Sequence, residues 1–314
     1  PAVAQSAIGN LTFRELLTHQ SGLPAFLPLQ KMAMKAGAKS FPCAQNSEST
    51  AITVGEGDHH NHLAISEGLC LDARWADSAW KWMLQSSIAP EKNYVYSDVN
   101  MIVLGKWIEY TTKQPLSSYV EQQFYRPLGL KNMGFEPLKR QISAQRIAPT
   151  LIDSLWPRGE VRGIVHDPSA MMLGGISGNA GLFSNALDLA RLMYMLQEKG
   201  YAGENIGYLL KPSTVELFTK INNPRGKYGY RGLGFDKPNG KDGNKANVFE
   251  GAPGTLFGHS GYTGTWAWAD PANGITFVFV SNRTYPSEWN KKISQQGFRG
   301  QLLQTVYERL ESVK

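Results

Sequence analysis

Long apolar runs, charge runs and nucleic-acid-binding motifs are all missing from this sequence. No apolar stretch approaches the roughly 20 residues that a transmembrane helix needs. Lysine and arginine are scattered, with no run longer than Lys291-Lys292. A formal net charge of +6 therefore indicates solubility and weak attraction to anionic envelope polymers. We expect no membrane span and no nucleic-acid partner.

Two further features bound the class of protein. The 314 residues are 42% hydrophobic and 18% charged, which is normal for a globular enzyme with a large core. There is no Met start and no signal peptide, so we expect an internal or processed fragment.

Cysteine is scarce, and both cysteines flank a polar insert. Cys43 and Cys70 bracket residues 44–68, a pattern that favours a disulfide in an exported protein over two unrelated buried thiols. Residues 58–62 of the insert read Asp-His-His-Asn-His. His60 and His62 could share a strand face, but the diagnostic spacing of a metal site is absent, so a solvated loop is favoured.

Apolar runs near the C-terminus have the pattern of a β-hairpin. Residues 266–269 read Trp-Ala-Trp-Ala, residues 270–274 have turn chemistry, and residues 275–280 are apolar. The first strand is predicted to open with the triplet His259-Ser260-Gly261, which offers a cation-capable donor and a hydroxyl.

A tyrosine precedes the predicted helix over residues 99–110. Ser97 or Asp98 can cap this helix. Tyr96 then lies before a helix N-terminus, where partial positive charge favours a phenolate, and such a tyrosine can act as general base toward a serine hydroxyl. The alternative is structural, with Tyr96 packed at the helix entry and Asp98 only a cap.

A third motif occupies residues 11–24. Its amphipathic helix is predicted to end at Ser21-Gly22, with Gly22 as cap and Pro24 preventing continuation. His19, taken alone, is more commonly a structural histidine that bonds backbone near the helix end.

Together the three motifs resemble the β-lactamase-related serine hydrolase family, in its class C-like branch. That branch carries Leu-Leu-Thr-His-x-Ser-Gly-Leu, then Tyr-x-Asn, then a Lys- or His-based triplet that lines the active site. The resemblance extends over nearly the whole chain, including residues 123–130, 174–184 and the strand-like 231–235. Residues 165–167 with 174–184 are most similar to the hydrolase domain fused behind a family 3 glycoside hydrolase in Bacteroidetes-type bacteria.

The sequence departs from this family in two places. Asp98 stands at the Asn of Tyr-x-Asn, which keeps an acceptor but loses the amide donor and adds charge. The family's nucleophilic Ser-x-x-Lys pair precedes the Leu-Leu-Thr-His segment by a few tens of residues, whereas Leu11 here follows only ten residues. We therefore expect the pair to be missing from this chain.

One Ser-x-x-Lys does occur, at Ser78 and Lys81. It lies between the His19 and Tyr96 motifs, out of the family order. Its surroundings predict a surface amphipathic helix over residues 76–84 with Asp77 or Ser78 as cap. A short motif without its context is a weak sign of catalysis, so we expect this pair to be structural.

The resemblance implies an α/β (α+β) fold, with an antiparallel sheet flanked by helices plus a mostly helical lobe, β-lactamase/transpeptidase-like and N-terminally truncated. One domain is expected over residues 1–314. Its helical lobe would cover about 25–220, and its sheet lobe about 221–314 plus 1–24. Helices are also predicted over 117–124, 187–197 and 287–312, the last packing on the sheet.

The resemblance also implies roles for individual residues. Tyr96 would be the general base, Asp98 would orient the nucleophilic pair, and His259 would face the cleft near Tyr96, anchoring a substrate carboxylate or steadying Tyr96. The strand N–H after Gly261 would supply half of an oxyanion hole. The substrate-binding residues would be Ser260, Gly261 and Thr263.

The implied function is cleavage of amide or ester bonds through an acyl-enzyme, without cofactor or metal. The substrate would be a small molecule or peptidoglycan-like, and β-lactam, D-amino-acid peptide, lipid ester and acyl sugar all remain open. The protein is expected in the periplasm or otherwise exported, with an upstream glycoside hydrolase domain or N-terminal fragment as partner. The alternative is a catalytically inactive binding or scaffolding module of a cell-envelope protein.

Overall fold

The fold is mixed, with helices and antiparallel sheets, as the sequence predicted. The computed structural model describes residues 3, 5–43, 62–66, 68–154, 158–222, 230–238 and 248–312. The chain forms two compact units. The first comprises Pro1–Glu121 with Gly134–Phe183, and the second comprises Gln122–Met133 with Ser184–Lys314.

The first unit contains six α-helices and five short strands among its described residues. The helices are α1 Phe13–Leu17, α2 Leu29–Lys35, α3 Arg74–Leu84, α4 Asp98–Thr112, α5 Leu116–Val120 and α6 Pro168–Met172. The strands are β1 Phe41–Pro42, β2 His62–Ser66, β3 Leu69–Asp72, β4 Leu151–Asp153 and β5 Gly159–Val161. All of the strand pairs are antiparallel, in the orders β1-β3-β2 and β4-β5.

Helix α4 packs one face into the core of this unit. Its apolar residues Val99, Ile102 and Val103 recur at the spacing of one helical face and join the core. The predicted helix over 99–110 is therefore confirmed. Ser97 occupies the N-cap position, but its hydroxyl donates to the Pro24 carbonyl at 2.7 Å instead of accepting from the helix. The side-chain cap predicted from the sequence is therefore absent.

Two helix boundaries differ from the prediction. Helix α1 ends at Leu17, four residues before Ser21, because His19 adopts the left-handed conformation with a φ of 56°. Helix α3 begins at Arg74, so neither Asp77 nor Ser78 caps it. The Asp72 carboxylate instead accepts the Arg74 N–H at 2.9 Å. A left-handed residue thus follows the end of α1, and a side-chain acceptor two residues upstream marks the start of α3.

The polar insert is closed by a disulfide, as predicted. Cys43 and Cys70 are bonded, with their Cα atoms 5.2 Å apart and a sequence separation of 27. Of the His-rich segment, His62 begins β2, whereas residues 58–61 lie outside the described residues. Within the described ranges, no group of three or more His, Cys, Asp or Glu side chains could hold a metal ion.

We expect Cys43 and Cys70 to be bonded in protein purified without reductant. Alkylation of the unfolded chain should then add no mass, whereas alkylation after reduction should add two groups. The measurement is intact mass before and after reduction, and the single variant Cys43→Ser, which frees Cys70, is the control. Two alkylated thiols without reduction would contradict the bond.

The second unit is built on an antiparallel sheet flanked by helices. Its strands are β6 Phe257–Ser260, β7 Trp266–Asp270 and β8 Ile275–Phe279, in the order β6-β7-β8. Its described helices are α7 Ala186–Gln197, α8 Pro212–Thr219, α9 Lys292–Gln295 and α10 Phe298–Glu311. A helical turn over Glu121–Tyr125 follows α5, so the helix predicted over 117–124 is present in two parts.

Strand β7 is buried on both faces, which explains its unbroken apolar sequence. Trp266 and Trp268 pack with Leu303 of α10, whereas Ala267 and Ala269 pack with Met193 of α7. Alternate residues of a strand face opposite sides of a sheet, so one strand contacts both helices. The predicted hairpin and the packing of the last helix on the sheet are thus confirmed.

Three details of this unit differ from the prediction. The triplet does not open the Trp-rich strand. His259 and Ser260 end a separate strand, β6, because a turn closed by the bond from Gly261 N–H to the Thr265 carbonyl, 2.7 Å, precedes β7. Residues 231–235 form a turn rather than a strand, with Arg231 and Asp236 bridged across it. The helix predicted over 287–312 is interrupted at Gly297, which has a φ of 64°.

Across the ranges that the structure describes, none of the helices is both long and apolar enough to cross a lipid bilayer. The predicted division into lobes at residues 24 and 220 stays a prediction.

Candidate active site

The candidate site in the first unit begins with a buried imidazole. His19 lies two residues after the end of α1 and has a left-handed backbone conformation. His19 is 1% exposed. Its Nδ1 accepts the Ser97 backbone N–H at 3.0 Å, and its own carbonyl accepts the Val95 N–H at 3.0 Å. One residue therefore binds the backbone on both sides of Tyr96.

A chain of buried hydrogen bonds fixes the state of this imidazole. The Leu23 N–H donates to Ser21 Oγ at 3.1 Å, and Ser21 Oγ donates to Asn100 Oδ1 at 2.7 Å. Asn100 Nδ2 then lies 3.1 Å from His19 Nδ1. Because a backbone N–H can only donate, Nδ1 of His19 is an acceptor, and the ring proton belongs on Nε2. The interpretation that His19 bonds backbone is correct, although the partner lies 78 residues away.

Tyr96 lies against His19 and reaches solvent. The two ring centroids are 4.2 Å apart with planes tilted by 31°, and Tyr96 is 42% exposed. Tyr94 also contacts His19, edge-on at 6.3 Å. Tyr96 directly precedes the N-cap residue of α4, where a phenolate would meet the positive end of the helix dipole. A general base must place its own atom within hydrogen-bond reach of the proton it takes, and a tyrosine ring supported on one side and partly open to solvent is compatible with that requirement.

Asp98 is a partly buried carboxylate with a second carboxylate nearby. Burial, and then the charge of Asp167, raise its pKa to about 6, although a hydrogen bond with Asn179 lowers it. Asn179 Nδ2 also donates to Asp167 at 3.1 Å, and Ser177 Oγ donates to Asn179 Oδ1 at 2.7 Å. Asp167 additionally caps α6 through the Ala170 N–H. One amide thus bridges two carboxylates that repel each other.

The raised pKa of Asp98 makes the fold less stable as the pH rises. An unfolded Asp titrates near pH 4, so between about pH 4 and about pH 6 the folded chain holds a proton that the unfolded chain has lost. Asp98→Asn removes this cost. We expect the variant to raise the free energy of unfolding by about 1–2 kcal/mol at about pH 7.5 and to leave it unchanged near pH 4. The gain is smaller than the full pKa shift would give, because Asp98 has access to solvent and because its carboxylate is favoured in the first turn of α4.

Chemical denaturation at the two pH values measures this difference. Asp167→Asn is the matched control, because an asparagine keeps an acceptor for the Ala170 N–H while the negative charge is lost. In a protein that already carries Asp167→Asn, the stability gained from Asp98→Asn at about pH 7.5 should be smaller. An equal gain at both pH values would contradict a raised pKa.

The second unit carries the predicted substrate-binding strand. His259 lies half-buried at the end of β6, paired with Ala267 of β7, and its Nδ1 lies 3.0 Å from the Ser260 carbonyl. Ser260 and Gly261 are exposed, and the Thr263 carbonyl accepts the Arg283 N–H at 2.9 Å. The Gly261 N–H is used by the turn to Thr265. Ser260 thus ends β6, and Gly261 and Thr263 lie on the short connection to β7.

Glycine is required at two positions around this connection. A Cβ at Gly258 would overlap the Ala267 carbonyl of the neighbouring strand. Gly264 has a φ of 99°, and a Cβ there would meet Ser281 Oγ. Both glycines allow close backbone approach and therefore set the path of the residues between them.

The single Ser-x-x-Lys of the sequence lies on the outer face of α3. Trp75, Ala79 and Met83 form the buried face of that helix. Ser78 Oγ donates to the Arg74 carbonyl at 3.2 Å, and Lys81 is exposed. An activated nucleophile needs a base in hydrogen-bond reach, and a lysine acts as such a base when burial disfavours its charge. Lys81 is exposed, so this pair lacks the burial of the lysine.

Sequence reasoning missed three polar residues of the first-unit site: Asn100, Asp167 and Asn179. Asn100 looked like part of an apolar helix, and its contact with His19 spans 81 residues. Asp167 before Pro168 was a recognisable helix start, with Pro at the first helical position. No local signal connected it with Asp98.

A family model described as Beta-lactamase matches residues 1–297 of the chain. The chain belongs to the β-lactamase family. Among curated relatives, an Escherichia coli K12 protein provisionally named D-alanyl-D-alanine carboxypeptidase is 36% identical over 208 residues, covering 62% of this chain and 46% of the relative. A Salmonella gallinarum protein of the same name is 34% identical over 226 residues, covering 68% and 51%. This β-lactamase-family chain spans about half the length of the curated relatives it matches.

Solved structures support the fold of this family member. Simvastatin synthase LovD from Aspergillus terreus aligns with a TM-score of 0.56 at 19% identity, covering 92% of this chain and 66% of LovD. The octameric penicillin-binding protein homologue from Pyrococcus abyssi aligns with a TM-score of 0.54 at 19% identity, covering 92% and 56%. The predicted β-lactamase/transpeptidase-like fold is confirmed, and with it a serine-hydrolase type of family.

Proposed function

We propose that this chain belongs to a serine hydrolase that cleaves amide or ester bonds through an acyl-enzyme. The observation that carries the proposal is Tyr96, an exposed phenol held against His19 at the start of α4 in a β-lactamase-family chain. In this role Tyr96 takes the proton of a serine hydroxyl, and the serine oxygen then attacks the substrate carbonyl. The leaving group receives the proton when the acyl-enzyme forms.

Asp98 is proposed to orient the nucleophilic pair. Its carboxylate already meets the charge of Asp167, so an ammonium placed nearby would relieve that repulsion and lower the pKa of Asp98. A lysine one turn from a serine would supply such an ammonium. The buried start of α4 and the Asp167 cap of α6 hold the acceptors in place.

On the second unit, His259 is proposed to anchor a substrate carboxylate or to steady the general base. Ser260, Gly261 and Thr263 are proposed to bind substrate along the connection from β6 to β7. The exposed Ser260 hydroxyl and the half-buried imidazole of His259 are donors of the kind that recognise a carboxylate.

The nucleophilic Ser-x-x-Lys is proposed not to be the pair on α3. Ser78 bonds its own helix and Lys81 faces solvent, so the pair lacks the burial that would activate it. The same observation favours a second candidate function, a binding or scaffolding module that keeps the hydrolase fold without its chemistry.

For the substrate, we propose the amide bond of a peptide ending in D-alanyl-D-alanine. The proposal is supported by the curated relatives, which are about a third identical to this chain over the aligned residues and bear the provisional name D-alanyl-D-alanine carboxypeptidase. We also propose export to an oxidising compartment such as the periplasm, which the Cys43–Cys70 disulfide supports.

A D-alanine release assay separates the two functions. A form of the protein carrying a Ser-x-x-Lys helix is expected to release D-alanine from a D-alanyl-D-alanine peptide, and the 314-residue chain alone is not. The control is the Ser→Ala variant of that helix. If the longer form binds the peptide by calorimetry and releases no D-alanine, the hydrolase proposal fails and the binding module is favoured.

A further inference from the structure

We infer that His19 is the positioning residue for Tyr96, acting through two different contacts of one imidazole ring. The inference rests on the proposed function, because it concerns how the proposed general base is held. His19 acts on the proposed reaction through Tyr96. It sets where the Tyr96 hydroxyl lies.

The first contact fixes the backbone around Tyr96. The His19 carbonyl accepts the Val95 N–H and the imidazole Nδ1 accepts the Ser97 N–H, both at 3.0 Å. These two amides flank Tyr96, so the main chain of residues 95–97 is held at both ends by one residue. Only the second of these bonds depends on the side chain of His19.

The second contact supports the ring of Tyr96. The imidazole and the phenol lie 4.2 Å apart between centroids with planes 31° from parallel, so one face of the phenol is covered. Tyr96 remains 42% exposed, so part of the residue reaches solvent. A phenol held on one face has fewer accessible orientations, and a general base must be placed within hydrogen-bond reach of its proton.

The backbone of His19 makes both contacts available at once. Its φ of 56° is a left-handed conformation, which few residues other than Gly and Asn adopt readily. Strain of this kind persists where the surroundings over-determine it. Here the surroundings are the hydrogen-bond chain from Ser21 through Asn100 to Nδ1, which accepts only in the tautomer with its proton on Nε2.

Two variants separate the contacts without adding backbone strain, since glycine and asparagine both tolerate the left-handed region. His19→Gly removes both side-chain contacts. His19→Asn keeps an amide oxygen that can accept the Ser97 N–H, but it has no ring to cover Tyr96. Thermal unfolding of each variant reports any general loss of stability separately.

The readouts are amide hydrogen exchange at Ser97 and NMR of Tyr96 in the 314-residue chain, with Tyr96→Phe assigning the signals. In wild type, the Tyr96 backbone should have an order parameter near the rigid value of about 0.85 and an upfield ring shift from the imidazole. In His19→Gly we expect Ser97 exchange roughly tenfold faster, and an order parameter at Tyr96 below about 0.6. In His19→Asn we expect Ser97 protection to return while the upfield shift of the Tyr96 ring stays lost.

Unchanged Ser97 exchange and Tyr96 order in His19→Gly would overturn the inference, as would an unchanged Tyr96 ring signal in His19→Asn. These readouts do not depend on catalysis. If they change as expected and no form of the protein releases D-alanine, the positioning contact stands and the proposed function fails. If they do not change while activity is found, the inference alone fails.

Discussion

Tyr96→Phe is expected to slow acylation by roughly 10²–10⁴-fold in a form of the protein that carries a Ser-x-x-Lys helix, because the general base is lost. The variant keeps the aromatic ring that lies against His19 at an exposed position, and it loses only the hydroxyl. Stability should therefore change by less than about 0.5 kcal/mol, as at other exposed positions. The measurement is the single-turnover rate of covalent labelling by a fluorescent penicillin.

Tyr94→Phe is the matched control for this experiment. Tyr94 lies two residues earlier in the same segment and also contacts His19, at 6.3 Å between ring centroids. Its hydroxyl has no assigned part in the reaction, so the labelling rate should stay near wild type. Equal loss in the two variants would mean that the segment as a whole, and not the Tyr96 hydroxyl, is required.

Asn100→Leu is expected to destabilise the first unit by roughly 2–4 kcal/mol, since it leaves buried polar groups without partners. Asn100 is fully buried and accepts from Ser21 Oγ. Leucine offers no acceptor for that hydroxyl and no donor for His19 Nδ1. Urea denaturation followed by circular dichroism measures the loss.

Gln304→Leu is the control for the same kind of substitution on the surface. Gln304 lies exposed on α10, and its amide donates to the Glu308 carboxylate one turn later at 3.0 Å. We expect a change within about 0.5 kcal/mol. A small effect at Asn100 as well would contradict a buried network around His19.

The sequence predicted elements whose apolar pattern is strong. Helix α4 and the β7–β8 hairpin could be predicted because their apolar residues follow the pattern of a helix and of buried strands. The sequence wrongly placed the triplet His259-Ser260-Gly261 at the start of the Trp-rich strand β7. The turn that separates β6 from β7 depends on backbone hydrogen bonds of Gly261 and Gly264, which composition does not reveal. The last helix was predicted as one because Gly297 within an apolar pattern gave only a weak stop signal.

The candidate site was only partly predictable. Tyr96 and Asp98 stand beside a recognisable helix start, so local chemistry suggested them. The contacts that give them their properties are long-range: His19 lies 78 residues from Ser97, and Asp98 meets Asp167 through the tertiary fold. Propensity and spacing describe neighbours along the chain, so they could not reveal which carboxylates repel or which tautomer His19 adopts.

Covalent labelling of the 314-residue chain with a fluorescent penicillin or a fluorophosphonate tests the central claim most directly. Tyr96, Asp98 and His259 are proposed to serve a Ser-x-x-Lys pair that is not Ser78-Lys81. Removing the nucleophile of a catalytic set costs several orders of magnitude in rate, so we predict no adduct by intact mass. A stoichiometric adduct mapped to Ser78 and abolished by Ser78→Ala would contradict the account and assign the active site to α3.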